Sequence, residues 1–470
     1  MRCAQSNRSA LALSTLLLCG ALLLSSAAAE AAPPAGGRTS LMGGAGVAQG
    51  SDESVAWINP AGLGAIDRHT LSLSLNAYGF HAIQVDDHFG EQTAGGYNDA
   101  GYSRTLLLYP ASLGLFFNLG QAGQVGHQVF ALSFFTLSSE TTDYSAALRR
   151  AGLIDLAHQL DWISDENTYA LGVGYAVTLP ARFRLGASLY VHWVEGRWRQ
   201  TGTLDRFNAV NWDQLGVSWT DIGDSIDVGL IANVGAQWHS RHLSVGLSLR
   251  PPRVRLHSRS SGHYQAFRVD GKASGTAAGT RVLTTYHFSE IAEERLFDTN
   301  LGLAVRWPDR LVIELNATLH AALKSRGTNT IAYDQLAFQG TQAGQNQGEN
   351  QNFIDYRTTW GAALGVELDL GPMVLLAGGF IDNTTRVLPA ANEASGLLYA
   401  FDIYGISLGA GFGRQRGALY LGAQYINGHG DYLGGEPQDN GEVLPRPRSA
   451  RDHRLLVLLS GSVGFWGDNR

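Results

Sequence analysis

Segments in which apolar and polar residues alternate, joined by connections that are in turn short and long, constrain this chain more than any other feature. From Phe183 the odd positions Phe183, Leu185, Ala187, Leu189, Val191 and Trp193 are apolar, with Arg184, Gly186, Ser188, Tyr190 and His192 between them. Period two marks strands with one greasy face. It recurs at Leu311, Ile313, Leu315, Ala317 and Leu319, and at Leu243, Val245, Leu247 and Leu249. The pattern predicts fourteen strands, near 69–84, 105–118, 127–138, 167–179, 182–200, 226–239, 242–257, 295–307, 310–323, 354–369, 372–382, 402–413, 416–426 and 452–465. Tight turns fall at Leu179-Pro180-Ala181, His239-Ser240-Arg241, Trp307-Pro308-Asp309-Arg310, Leu370-Gly371-Pro372 and Gly413-Arg414. Long polar loops are expected at 85–104, 139–166, 201–225, 258–294, 324–353, 383–401 and 427–451.

Alternation alone also suits a soluble β-sandwich, but a sandwich has no reason to gather its long loops at one end. Outer-membrane barrels have short periplasmic turns, long outer loops and an even strand number. Past the first thirty residues no stretch is apolar enough for a membrane-spanning helix, and a bilayer accepts only helices and closed barrels. The expected fold is therefore all-β, a transmembrane antiparallel β-barrel with its greasy faces outward. Trp193, Trp198, Trp238, Trp307, Trp360, Tyr425, Phe465 and Trp466 at or near strand ends fit interfacial belts. A net charge of -7 without a basic stripe argues against nucleic acid as a partner.

Arg2 and Arg8, the apolar run Leu11 to Leu24 and the small residues Ala27, Ala28, Ala29 and Ala31 read as a secretory signal peptide over 1–31. Both cysteines, Cys3 and Cys19, fall inside it, so the exported chain carries no thiol into an oxidising periplasm. Strands about 4.8 Å apart and tilted about 40° give a fourteen-stranded barrel a radius of roughly 14 Å, too wide for wall side chains to fill. Such a barrel is an open pore or holds a plug. Residues 32–68 lack strand alternation and supply Gly43, Gly44 and Gly46, then Asn59-Pro60-Ala61, a turn in which proline fixes φ and asparagine can bond the local backbone.

The stretch from Gly43 to Leu63, with its Ala-Gly-Val-Ala, polar spacer and Asn-Pro-Ala, resembles the N-terminal hatch of the FadL/TodX (OMPP1) family of outer-membrane transporters of long-chain fatty acids and aromatic hydrocarbons. The resemblance implies a hatch over 32–68 inside a barrel over 69–466, with Gly43, Gly44, Gly46, Asn59, Pro60 and Ala61 as hatch or gating residues. It implies passive uptake of hydrophobic molecules by a monomer in the bacterial outer membrane. The partners are then outer-membrane lipid and the barrel-assembly machinery, to which the aromatic-ended last strand Leu455 to Trp466 is suited.

Candidates for ligand contact are the lumen-facing Arg184, Arg250 and Arg306, and Lys324 beyond a strand end, unless these pair with carboxylates such as Glu314 and Glu367. Leu153, Leu156, Leu160 and Ile163 recur at helical spacing within an expected loop and suggest an amphipathic helix lining an outer groove. Pro110 either removes a ladder hydrogen bond in the second strand, which makes it a candidate for a lateral opening, or simply starts that strand. No Gly-x-Ser-x-Gly or His-Glu-x-x-His element occurs, His192 and His320 have no assignable serine, and His287 with Glu290 forms no metal spacing, so no enzyme activity, cofactor or metal is expected. The alternatives are a general diffusion porin and a transporter-like barrel repurposed for surface assembly or partner binding.

Overall fold

The computed structural model describes residues 37–50, 52–86, 97–98, 101–120, 124–150, 154–208, 210, 213–271, 277–290, 296–307, 310–323, 326–339, 342–387, 399–413, 417–437 and 443–464. The expected signal peptide, Leu153, Lys324, Phe465 and Trp466 lie outside them. Among the described residues two short helices, α1 (Gly37–Leu41) and α2 (Val55–Ile58), and a 3-10 turn (Pro60–Ala65) precede the strands.

The strands are β1 (Thr70–Val85), β2 (Gly101–Asn118), β3 (Gln128–Arg150), β4 (Ile154–Thr178), β5 (Phe183–Asn208) and β6 (Asp213–His239). Five more are each made of two pieces: β7 (Leu243–Arg250, then Val254–Gly271), β8 (Ala277–Glu290, then Leu296–Trp307), β9 (Leu311–Ala322, then Arg326–Gln339), β10 (Gln342–Tyr356, then Thr359–Asp369) and β11 (Met373–Asp382, then Arg386–Val387). The last are β12 (Tyr399–Phe412), β13 (Gly417–Pro437) and β14 (Val443–Gly464). Each pairs antiparallel with its neighbour, and β1 meets β14 from Thr70↔Gly464 to Val85↔Ala450, which closes a fourteen-stranded barrel. Closure joins the first strand to the last and so removes the two free edges that an open sheet would present to lipid.

The faces run as the alternation requires. Leu185, Leu189 and Val191 are exposed on the outside, as are Leu315, Leu319 and Leu247, while Ser188, Tyr190, His192 and Glu314 are buried inside. From Phe183 to Trp193 is about 25 Å along the barrel axis at a tilt of about 40°, the height of the apolar band of an outer-membrane barrel. Phe134, Tyr169 and Trp193 stack at the upper edge of that band, with the Tyr169 and Trp193 rings 5.2 Å apart.

The long connections are not loops, which corrects the reading of 139–166, 201–225, 258–294, 324–353 and 427–451. The strands continue through most of each, so β5 and β6 pair from Phe183↔Trp238 to Asn208↔Asp213. The alternation changes phase where lipid gives way to water. On β5 the apolar residues are outward up to Trp193 and inward beyond it, at Val194, Trp198 and Leu204, because above the bilayer only the interior is dry. Trp198 is thus an interior residue, not a belt residue. His287 and Glu290 lie in β8 rather than in a loop. The helix expected around Leu156, Leu160 and Ile163 is strand β4: residues four apart share a face at period two as well as at period 3.6, and Leu156 and Leu160 point inward with His158 and Trp162.

Candidate functional site

Residues 37–50 and 52–66 occupy the barrel interior, bound to inward side chains from every quarter of the wall. Ser407 Oγ donates to the Leu41 carbonyl (2.9 Å), the Ala48 amide to Glu314 (2.7 Å), Gln237 to the Val47 carbonyl (2.9 Å) and Asn233 to the Trp57 carbonyl (2.5 Å). Trp57 rests on Phe135 and Tyr190, with ring centroids 6.0 and 5.1 Å away.

The sequence-marked turn residues set this path. Gly43 and Gly44 hold φ of 65° and 87°, a region costly for residues with a Cβ, and turn the chain out of α1. Asn59 caps the 3-10 turn by accepting from the Ala61 amide (3.2 Å), while its Nδ2 donates to the Val47 carbonyl (2.7 Å) and so ties the two halves of the segment together. The wall is shaped to receive them. A Cβ on Gly235 would stand 1.9 Å from Asn59 Oδ1, and one on Gly186 would stand 2.3 Å from the Pro60 carbonyl carbon. Gly46 faces Thr39, whose hydroxyl and amide both donate to Asp52.

Two buried charges anchor the segment. Arg38 pairs with Glu367 at 2.5 Å and donates to the Gln49 carbonyl. Burial favours its neutral form, but Glu367 and then Glu314 outweigh that and hold the guanidinium above its ordinary value. Glu53 receives the Gly37 amide (3.1 Å) and the hydroxyls of Ser72 on β1, Ser112 on β2 and Ser460 on β14, which places it over the seam where the barrel closes. Burial, then the neighbouring Asp52 charge, pushes its carboxyl up to about 7.

The described arginines named as ligand candidates face this segment. Arg250 stacks over the Trp57 ring at 4.4 Å, donates to its carbonyl (3.3 Å) and lies 3.6 Å from Asp298; Arg306 donates to Gln49 (2.7 Å); Arg184 contacts His239 at 3.1 Å. Glu314 and Glu367 bind the segment too, so the expected pairing of lumen cations and carboxylates runs largely through it. His192 contacts Arg253, and His320 sits between Asp298 (2.8 Å) and Asp382 (3.4 Å).

Leu156 and Leu160 belong to a feature the sequence reading missed. One contiguous buried apolar cluster runs from Leu148, Leu156, Leu204 and Leu215 in the outer hairpins, past Trp162, Trp198, Trp219 and Tyr264, to Phe380, Leu376 and the Leu41 and Met42 of the interior segment. The even-numbered apolar residues of 144–162 and the odd-numbered ones of 215–219 carried the signal. The wall itself is interrupted beside this interior. β2 pairs with β3 at Tyr102–Ser103 and again from Ser112 to Asn118, but between them no β2–β3 ladder pairs occur among the described residues. Pro110 lies in that interval and pairs only toward β1, and bulges flank it at Asn76/Gly79 and Thr136/Ser138.

No family model matches the sequence, and no curated protein matches it. Among solved structures, a FadL homologue from Pseudomonas aeruginosa superposes with a TM-score of 0.57 over 92% of this chain and 99% of its own, at 17% identity. The fold is that of the FadL-type barrels. The toluene transporter TodX of Pseudomonas putida (TM-score 0.55, 13% identity, 93% of this chain and 100% of that one) and the toluene transporter TbuX of Ralstonia pickettii (TM-score 0.53, 10% identity, 93% and 99%) share it. In this FadL-type barrel the Asn-Pro-Ala turn at 59–61 sits against β5 and β6, over Gly186 and Gly235.

Proposed function

We propose that this chain is a member of the FadL/TodX family that lets hydrophobic small molecules cross the bacterial outer membrane passively, with no chemical step. Residues 1–31 are its signal peptide, 32–68 its hatch and 69–466 its barrel. The observation that carries the reading is the apolar cluster that begins in the outer hairpins and ends on Leu41 and Met42 of the polar-anchored hatch. A greasy molecule is poorly solvated in the hydrated cell surface and gains by entering such a route. The interrupted β2–β3 ladder, with Pro110 in it, supplies its sideways exit into the bilayer once the hatch, pivoting at Gly43, Gly44 and Gly46 against the fixed Asn59, Pro60 and Ala61 turn, shifts. Leu156 and Leu160 touch the cargo; Arg250 and Arg306 hold the hatch, and Arg184 flanks it.

A diffusion porin needs a continuous wet channel, which the filled interior opposes. Planar-bilayer recording with mass spectrometry of molecules retained by the purified barrel tests the proposal. Low conductance with retained toluene, alkane or fatty acid is expected; a large steady conductance and no apolar ligand would overturn it.

A further inference from the structure

We infer that Asp221 and the aromatic rings around it form a site, inside the outer hairpins, for the ammonium head of a hydrophobic amine, an inference that rests on the transport reading above and narrows its substrate class. Asp221 lies on β6, in register between Gln200 of β5 and Tyr264 of β7. All three side chains are buried in the interior. Gln200 is seven residues beyond Trp193, so this rung stands outside the bilayer, on the path a molecule takes from the cell surface to the hatch.

The carboxyl is out of character with its surroundings. Trp198, Trp219, Tyr264 and Tyr286 all belong to the apolar cluster that runs down to Leu41 and Met42. Tyr286 donates to Asp221 Oδ1 at 2.8 Å, while Oδ2 accepts no hydrogen bond among the described residues. Burial pushes the carboxyl up to about 7, against the pull of the Tyr286 hydroxyl, and no cation is among the groups that act on it. The fold does not call for a charge here. An asparagine would accept from Tyr286 equally well, without the cost of taking a carboxylate out of water. What would complete the position is a positive charge.

Glycines set how the rings present themselves. Trp198 is paired across the ladder with Gly223, Trp219 with Gly202 and Tyr286 with Gly262. A Cβ on any of these glycines would overlap the ring opposite, so each ring lies against the bare backbone of the next strand. One face of each ring rests on the wall and the other turns to the interior, two residues along the strands to either side of the Asp221 rung. Such faces attract a cation through the ring quadrupole, most strongly where water is excluded. An ammonium therefore gains both the carboxylate and the rings, a neutral head gains neither, and its alkyl chain lies among Leu160, Leu204 and Leu215 of the same cluster. The Trp219 indole N–H makes no hydrogen bond among the described residues, so packing alone holds that ring over its glycine and it can turn aside for a ligand.

The test uses the purified full-length barrel in nonionic detergent at pH 8 and reads retention of dodecylammonium and of 1-dodecanol, two chains of one length, by native mass spectrometry. The ammonium is expected to be retained at least tenfold better than the alcohol. Asp221→Asn, which keeps an acceptor for Tyr286, should lose that preference while holding the alcohol as before, and Trp219→Leu should weaken ammonium retention several-fold. Equal retention of the two compounds by the unaltered protein, or an unchanged preference in Asp221→Asn, would overturn the inference and leave the transport reading standing. Retention of neither compound would overturn both. The comparison of the two compounds on the unaltered protein stands even if a variant fails to fold.

Discussion

Replacing Glu53 with glutamine is expected to abolish a pH dependence in how firmly the hatch is seated. The carboxyl is pushed from 4.5 to about 7 by burial and by Asp52. Because the seated form binds the proton more tightly than the released form, this group favours seating fully below pH 4.5, and the benefit is lost as pH rises through about 7. Integrated between pH 5 and pH 8, the loss is about 2–3 kcal/mol, from roughly 1.4 kcal/mol per pH unit between the two pKa values. Glutamine keeps an acceptor for the Gly37 amide, and its NH2 donates to the Ser72 hydroxyl from which the carboxylate accepted, but it has no charge to desolvate, so seating should be flat with pH. Hydrogen exchange by mass spectrometry, corrected for the intrinsic rate at each pH, reads the opening of residues 37–66 directly. A flat profile in the unaltered protein, or an equally steep one in Glu53→Gln, would refute the reasoning.

The wall glycines and the lumen arginine give further outcomes. Gly235→Ala puts a Cβ 1.9 Å from Asn59 Oδ1; it should displace the Asn-Pro-Ala turn at a cost of about 1–3 kcal/mol and raise single-channel conductance while the barrel still folds. Arg250→Met removes both the stack on Trp57 and the bond to its carbonyl, so amides 55–59 and 61 should exchange faster by the equivalent of about 2 kcal/mol, with the strand amides unchanged. Leu160→Asp places a carboxylate in the apolar cluster and should cut uptake of a hydrophobic substrate by at least about tenfold without lowering the amount of folded barrel in the membrane.

The strands inside the bilayer were legible because lipid enforces one rule at every outward position, so Leu185, Leu189 and Val191 announce their face. Above the bilayer the rule reverses: outward Asp161 and Asp165 meet water and inward Leu160 and Trp162 stay dry, so a reading tuned to one phase takes the strand for a loop. Asn59, Pro60 and Ala61 were legible as a turn from local backbone chemistry alone. The glycines that receive them, Gly186 and Gly235, were not, since a strand glycine gains its meaning only from the backbone packed against it. Nor could spacing show that Arg250 reaches Trp57, which lies 193 residues earlier in the chain. The break between β2 and β3 was half visible: Pro110 marked a lost donor, but the extent of the interruption depends on the bulges around it.

The most direct measurement is the initial rate of uptake of labelled hydrophobic compounds by cells lacking this gene, with and without a plasmid supplying it, beside a hydrophilic sugar as control. The account expects the plasmid to raise uptake of at least one alkane, aromatic hydrocarbon or long-chain fatty acid several-fold and leave sugar entry unchanged. Equal hydrophobic uptake in both strains, or faster entry of the sugar, would contradict it.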